Sequence, residues 1–582
     1  MAISSSRRDS TIISIIGALI FGSACAALWF RNLLTVSPND YLWADSFDPN
    51  FLRWTAEWGY YALGQRHSWT LFWNAQIFYP HPNTLAYSDS LLTLQLFYTP
   101  LRWFGVPPLT ALYLSLGSFA VGCFTLSIGL LRRLGLFTFV ECLIIAFAAH
   151  FSLMMANFLS HYQLFGFHVA PPFFLALYLF LSRQQVRWLF LAEALYLMGT
   201  CFAAYLAPSL PVMSVGLLLA MTPSLVKEFE WVKWRRMIVP ATLASVLCVV
   251  VLYLVQMKYY VQMLGETEPQ SLLEIAVYAA NPGTLFSGRS VNSYWWKPHG
   301  GAYSRHGQWE SAYFPGFILL AGLIIGVIQL ISSNREFLSA PMRRFCLAML
   351  GVAAVAIVVS WGPFVDGQKA PFFVLAKIFP FLKNTRAIGR YGMFAALPLG
   401  VLTVVALRGI LHGSRLANKA SLASVMLLGA LVVESLPTGS VFPYEEPLRS
   451  RYEKVATLIK PGDPFVELPC HDSGHLETIK RLMEQMNGAL YHHGNLIVGY
   501  SGRSSPENAT LIHLDQRLAA GTLTFGEMLR HLRQLNVKSV LINTDRYNAN
   551  VTEQIVEATI RESGYKEAPL GISGARVLRR ID

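Results

Sequence analysis

Four carboxylates crowd one stretch of an otherwise apolar chain. Asp40, Asp45 and Asp48 sit beside Trp43, Trp54 and Trp58, and Asp89 follows in IFYPHPNTLAYSDSLL. A carboxylate among aromatics loses hydration and gains basicity, so it suits the removal of a proton from a hydroxyl. Asp48 is the first candidate for that role. It also has a structural reading: Asp followed by Pro49 starts a helix, the carboxylate capping free N–H groups and the proline taking the first helical position. Capping accounts for Asp48 alone and leaves Asp40, Asp45 and Asp89 unexplained. A second set is cationic. Arg386 and Arg390 in FPFLKNTRAIGRYG are four apart, so on a helix they share one face. Guanidinium forks match the oxygens of a phosphate; the alternative is contact with lipid headgroups by snorkelling side chains. His161 and Gln163 in SHYQLF, and Glu310 in WESAYFPG, are polar residues beside apolar runs. They either order a site or rest as satisfied interface residues.

The elements that must hold these residues are mostly membrane helices. Of 582 residues, 54% are hydrophobic and only 14% charged, with a mean hydropathy of +0.41; soluble domains carry about 25% charge. Crossing a bilayer takes about 20 mostly apolar residues. About eleven runs qualify: 11–30, 108–131, 135–156, 164–182, 188–206, 209–226, 237–256, 315–332, 345–361, 391–410 and 418–436. Trp29-Phe30-Arg31 reads as an interface anchor closing the first. Arg7 and Arg8 place the N-terminus inside, and every second loop is basic, as with Arg132 and Arg133, Arg235 and Arg236, or Arg343 and Arg344. Lys and Arg are retained on the cytoplasmic side, so this alternation explains much of the net charge of +12. Neither a basic groove nor a zinc-finger spacing argues for nucleic acid. The expected architecture is an all-α polytopic membrane domain over 1–438 followed by a small soluble α/β domain over 439–582.

An odd number of spans puts the C-terminal domain outside, with three long loops, 31–107, 257–314 and 362–390. In the first, Phe51, Trp54, Trp58 and Tyr61 recur every three or four residues, the pattern of an amphipathic helix lying at the interface. After Val441, PFVELP and VKSVLINTD read as buried strands between helices such as 447–460 and 524–536. HDSGH (His471, Asp472, His475) resembles a metal set only loosely, since a histidine pair near one acid is common by chance. The seven cysteines form no C-x-x-C pair, so buried free thiols are expected. Glu141 and Glu193 fall within or near spans, where an acid is expensive and often functional.

Asp48-Pro49 with Trp54 and Trp58, IFYPHPNTLAYSDSLL, SHYQLF, WESAYFPG, RAIGR and NLIVGYSGRSSP occur in this order along the chain. Together they resemble bacterial multi-pass membrane glycosyltransferases of the GT-C class. The resemblance implies a transferase that uses a polyprenyl-phosphate-linked sugar, with Asp48 at the position of the acidic base and Asp89 where relatives often carry glutamate. Two positions depart from the pattern: Gly59 stands where an acid often follows the second Trp, and Phe158 where an Arg often precedes the histidine matching His161. A lipid phosphate is already a good leaving group, so the enzyme must deprotonate an acceptor and stabilise the developing phosphate charge. Asp48 suits the first task; Arg386 and Arg390 suit the second. Asp45, Asp89, His161, Gln163 and Glu310 complete the expected substrate-binding set. A divalent cation, Mg or Mn, held through Asp45 or Asp89, would share the phosphate task, although nothing in the sequence demands one. The implied partners are the donor lipid and a glycan, lipid or protein acceptor, in the bacterial cytoplasmic membrane. A transporter or flippase of a lipid-linked glycan is the competing class, and a non-catalytic assembly protein the third.

Overall fold

The computed structural model describes residues 2–43, 47–227, 231–266, 270–281, 284, 286, 313–332, 338–365, 368–412, 419–437, 440–444, 449–472, 474–547, 550–555, 564–572 and 574–581. Each expected apolar run contains a helix, although 135–138 and 203–205 lie outside helices. Eight helices are long and apolar enough to cross a membrane: Ile12–Trp29, Pro108–Leu134, Phe139–Ala156, Tyr162–Arg183, Leu206–Lys227, Trp234–Gly265, Ala340–Ser360 and Ile388–Leu411. The remaining three runs form shorter helices, Val186–Phe202, Phe317–Ile331 and Ala420–Glu434. The chain is a multi-pass membrane protein by this measure.

Helices packed in lipid gain little from hydrophobic burial and rely on close backbone approach at small residues. Two seams show this. Helices Leu206–Lys227 and Ala340–Ser360 cross at Gly216 and Gly351, where a Cβ on Gly216 would lie 2.1 Å from the Gly351 carbonyl oxygen. Gly322 and Gly326 of Phe317–Ile331 form a G-x-x-x-G face against Thr403 and the Leu402 carbonyl. The Glu434 carboxylate accepts the backbone N–H of Phe317 at 2.6 Å, satisfying an orphan donor at the start of that helix. Glu141 also has a structural partner: it caps its own helix through Thr138 and pairs with Arg408 at 2.7 Å. Glu193 accepts from Ser245 at 2.6 Å. All seven cysteines are free and buried.

Two expectations about interfacial residues fail. Trp29 and Phe30 are core residues, their rings 5.1 Å from Phe151 and 4.5 Å from Trp43 respectively. The helix Asp48–Gly59 does not lie on a surface either. Phe51, Leu52, Arg53, Trp54, Thr55, Ala56 and Trp58 are all buried, and a helix buried on every side is a core element. What covers it comes from the other end of the chain.

The C-terminal region builds a five-stranded mixed sheet. Pro464–Leu468 and Ser539–Asn543, the two strands expected from sequence, are wholly buried and pair in parallel from Phe465 opposite Ser539. Asn495–Leu496 extends one edge in parallel. On the other side the hairpin of Tyr565–Ala568 and Ala575–Arg580 adds antiparallel strands. This region interlocks with the 31–107 segment. Tyr41–Trp43 pairs antiparallel with Val441–Pro443. Backbone N–H groups of Tyr79 and Leu496 bond to the Leu496 and Gln76 carbonyls. Arg53 donates to Asn487 at 2.6 Å, and His81 meets Glu507 at 2.7 Å.

Candidate functional site

At this junction lies a cavity of about 1990 Å³ whose wall carries Asp48, Asp89, His161, Gln163, Arg386 and Arg390 together. Six of the eight sequence-selected residues therefore meet in one space. The other two, Asp45 and Glu310, lie outside the described residues.

Asp48 is the first residue of its helix, with Pro49 behind it and Phe47 at the cap position. The expected cap position is therefore taken by Phe47, whose side chain makes no capping hydrogen bond, and Asp48 is the acid of the first turn. Asp48 Oδ2 is 3.2 Å from His161 Nε2, and Oδ1 accepts from the Tyr500 hydroxyl at 3.4 Å. The other imidazole nitrogen, Nδ1, is 2.9 Å from Ser160 Oγ. His161 thus bridges a hydroxyl and the carboxylate, an arrangement that fixes its ring orientation. It stands where the chain turns from the short helix Leu153–Ala156 into the tight turns Tyr162–Val169, which set it at the cavity floor.

Asp89 is half-buried, and Oδ1 accepts the Ala204 backbone N–H at 2.8 Å. Burial pushes its carboxyl up to about 6, opposed by that N–H and by the Arg390 charge. Gln163 Oε1 is buried without a hydrogen-bond partner among the described residues. A buried acceptor left unmade costs about 1–3 kcal/mol, so this atom suits a ligand donor.

Arg386 and Arg390 do not share a helical face. Arg386 precedes the tight 3₁₀ turns Ile388–Ala395 and Arg390 lies within them. They nevertheless reach the same cavity, with the Arg386 guanidinium 4.9 Å from the Tyr278 ring centre. Pro211, Val212, Val215, Ala354, Val355 and Val358 line the same cavity with apolar side chains from the two helices that cross at Gly216 and Gly351.

Among the wall residues that sequence did not assign to this site are His475, singled out only within HDSGH, Tyr500 and Arg503. GYSG (Gly499 to Gly502) reads as a docking turn, and it does dock: a Cβ on Gly499 would lie 2.9 Å from Ile77. The same turn also delivers Tyr500 to Asp48. Burial lowers the pKa of Arg503, opposed by Glu274. No spacing rule links position 48 to position 500, so only the folded chain reveals the pair.

The two departures from the family pattern have local causes. Gly59 leaves room for Gln95, whose Nε2 would be 2.2 Å from a Cβ there and which donates to the Ala56 carbonyl at 3.0 Å. Phe158 is buried, its ring 6.3 Å from Tyr313.

No three His, Cys, Asp or Glu side chains among the described residues cluster as metal ligands. Both Asp48 oxygens are engaged by His161 and Tyr500, and Asp89 by Ala204. Asp45, one of the two residues expected to hold a divalent cation, lies outside the described residues. In HDSGH, His471 and Tyr547 hold the buried Asp515, at 2.6 and 2.5 Å, while Asp472 pairs with Arg481. His471 and Asp472 thus belong to a structural network in the C-terminal sheet region, whereas His475 lines the cavity.

A family model described as "Domain of unknown function (DUF6311)" matches residues 19–435. The chain belongs to the DUF6311 family. No curated protein matches its sequence. In fold, this DUF6311 member is similar to the arabinofuranosyltransferase AftD from Mycobacteria, with a TM-score of 0.56 and 14% identity over 97% of the chain. A mutant AftD structure gives 0.53 and 13% over 96% of the chain. The chain spans 39% and 41% of those AftD chains. ArnT from Cupriavidus metallidurans, solved with undecaprenyl phosphate, aligns over 97% of this chain and 98% of its own at a TM-score of 0.35 and 11% identity, too low for a common fold to be argued. What the DUF6311 chain shares with the arabinofuranosyltransferase AftD is the fold.

Proposed function

We propose that this protein is an integral membrane glycosyltransferase that moves a sugar from a polyprenyl-phosphate-linked donor to an extracytoplasmic acceptor. The observation that supports this reading is that a carboxylate, two guanidiniums and a set of apolar side chains line one cavity. In this reading the protein lies in the bacterial cytoplasmic membrane, with the N-terminus inside and the cavity and C-terminal region outside.

The chemistry follows from the groups present. The acceptor hydroxyl gives its proton to Asp48 as its oxygen attacks the anomeric carbon. The bond from that carbon to the phosphate oxygen breaks, and the electron pair leaves with the lipid phosphate. Attack opposite the leaving group inverts the anomeric centre. Arg386 and Arg390 stabilise the charge that grows on the phosphate. His161, held by Ser160, orients Asp48, and Gln163 Oε1 accepts a sugar hydroxyl. The apolar wall receives the first isoprene units. Asp89 holds Arg390 electrostatically until phosphate arrives.

The test uses full-length protein reconstituted in liposomes, offered polyprenyl-phosphate-linked pentoses and hexoses with envelope glycan acceptors. Asp48→Asn is expected to lower transfer by about 10²–10⁴-fold, the contribution typical of a general base, with donor binding retained. Transfer that survives the substitution while lipid translocation stops would establish the transporter class instead.

A further inference from the structure

The turn Gly499 to Arg503 belongs to the C-terminal region, yet it lines the same cavity as Asp48. Its backbone is held from several sides. Gly499 N–H donates to Asn508 Oδ1 at 3.1 Å, and Tyr500 N–H to Met486 Sδ at 3.2 Å. The ring of Tyr500 packs edge-on against Phe51, 5.7 Å between centres. Phe51 and Asp48 share the helix Asp48–Gly59, so one aromatic contact and one hydrogen bond tie the turn to a single element. Gly502 lies where a Cβ would be 3.2 Å from the Tyr87 carbonyl oxygen. The phenol is therefore not a free surface group that happens to lean towards a carboxylate.

We propose that the C-terminal region completes the site, Tyr500 acting as a positioning residue whose hydroxyl fixes Asp48 for proton abstraction. The contact stands on geometry, and its role in proton abstraction rests on the general-base reading of Asp48. A hydrogen bond donated to a carboxylate favours its charged form. The bond is long at 3.4 Å, as catalytic hydrogen bonds often are before substrate closes the site. Its effect on the empty protein is accordingly modest. Besides Asp48 and Tyr500, the charged groups and histidines of this cavity are Asp89, His161, Arg386, Arg390, His475 and Arg503, with the phenols of Tyr87, Tyr196, Tyr205, Tyr260 and Tyr278, and all remain in place when the Tyr500 oxygen alone is removed.

The labelling measurement needs no knowledge of the donor sugar, and transfer is read beside it in the liposome assay described above. Full-length protein in lipid nanodiscs is treated with dicyclohexylcarbodiimide, which reacts with protonated carboxyls, across pH 4 to 8, and labelling of Asp48 is read by peptide mass spectrometry. Tyr500→Phe, which keeps the ring against Phe51, is expected to raise the labelling midpoint by about half a pH unit, roughly threefold in the ionised-to-protonated ratio. Gly499→Ala, which pushes the turn off Ile77 with the phenol intact, is expected to shift it in the same direction. Thermal unfolding of each variant checks that the fold persists. Superimposable labelling curves for both variants and wild type overturn the proposal. So does a fall in transfer at every pH with no change in midpoint, which would make Tyr500 a packing residue only. A shifted midpoint alongside full transfer by Asp48→Asn would keep the contact and remove the base, so the two readings fail separately.

Discussion

Asp89 shows how a single side chain reports its surroundings through protons. Its carboxyl is pushed up to about 6 by burial in the cavity wall, whereas in the unfolded chain it ionises near pH 4. Between those values the folded protein binds more protons than the unfolded one, so stability falls as pH rises from about 4 through 6, and the loss is absent below the unfolded value. Asp89→Asn keeps an oxygen for the Ala204 N–H and removes the charge. The variant is expected to exceed the wild type in stability by on the order of 1 kcal/mol at pH 7 to 8, with the difference vanishing near pH 4. Thermal unfolding at a series of pH values checks this; equal curves at pH 8 would show that Asp89 is well solvated. At this scale the sequence was informative where chemistry depends on residue type. Asp48, Asp89, His161, Gln163, Arg386 and Arg390 were all legible because charge or polarity beside apolar runs is costly and therefore conspicuous. Tyr500, Arg503 and His475 were not, since aromatic and polar residues in a soluble region carry no such contrast.

Helices were legible for a similar reason: an apolar run long enough for a bilayer is rarely needed anywhere else. The seams between them were not, because a glycine in such a run looks the same whether it packs or faces lipid. Gly351 and Gly429 make the contrast testable. A Cβ on Gly351 would lie 2.2 Å from the Gly216 carbonyl oxygen, whereas one on Gly429 meets nothing within 4 Å. Gly351→Val is expected to cost about 1–3 kcal/mol or more from overpacking against backbone that cannot yield. It should also depress transfer, because Val212, Val355 and their neighbours on these two helices form the apolar wall. Gly429→Val is expected to leave stability unchanged within about 0.5 kcal/mol. Thermal unfolding of the purified protein in detergent measures both, and equal losses would mean the crossing is not where the structure has it. The mistaken interfacial reading of Asp48–Gly59 has the same origin as the missed seams. Its aromatic face was periodic, but its other face is covered by residues from beyond position 440, and period alone cannot distinguish lipid from protein as the covering material.

Over the whole molecule, the arrangement of the site depends on two distant stretches of chain closing on each other. Arg53 is 5% exposed and Asn487 1% exposed. The Arg53 guanidinium donates to Asn487 Oδ1 at 2.6 Å and lies 4.6 Å from the centre of the Tyr444 ring. Asn487 in turn donates to Asn50 at 3.0 Å, so the helix that begins with Asp48 is pinned by the C-terminal region one turn from the carboxylate. Removing the Asn487 side chain in Asn487→Ala leaves a buried charged donor short of its acceptor, a loss of about 1.5–3 kcal/mol. Replacing both partners, as Arg53→Met with Asn487→Leu, removes the unmet charge and is expected to cost less than the two single changes together by about 1–3 kcal/mol of coupling. Unfolding free energies of the four proteins close the cycle. If the region merely braces the loops, the double variant should recover both stability and transfer. If it aligns Asp48 through Asn50 and Tyr500, stability should recover while transfer stays low, because apolar side chains restore packing at the pin without restoring the hydrogen bonds that set the angle of the helix. Additive single losses would mean that the two ends of the chain fold independently, and that the cavity between them is not built by this contact.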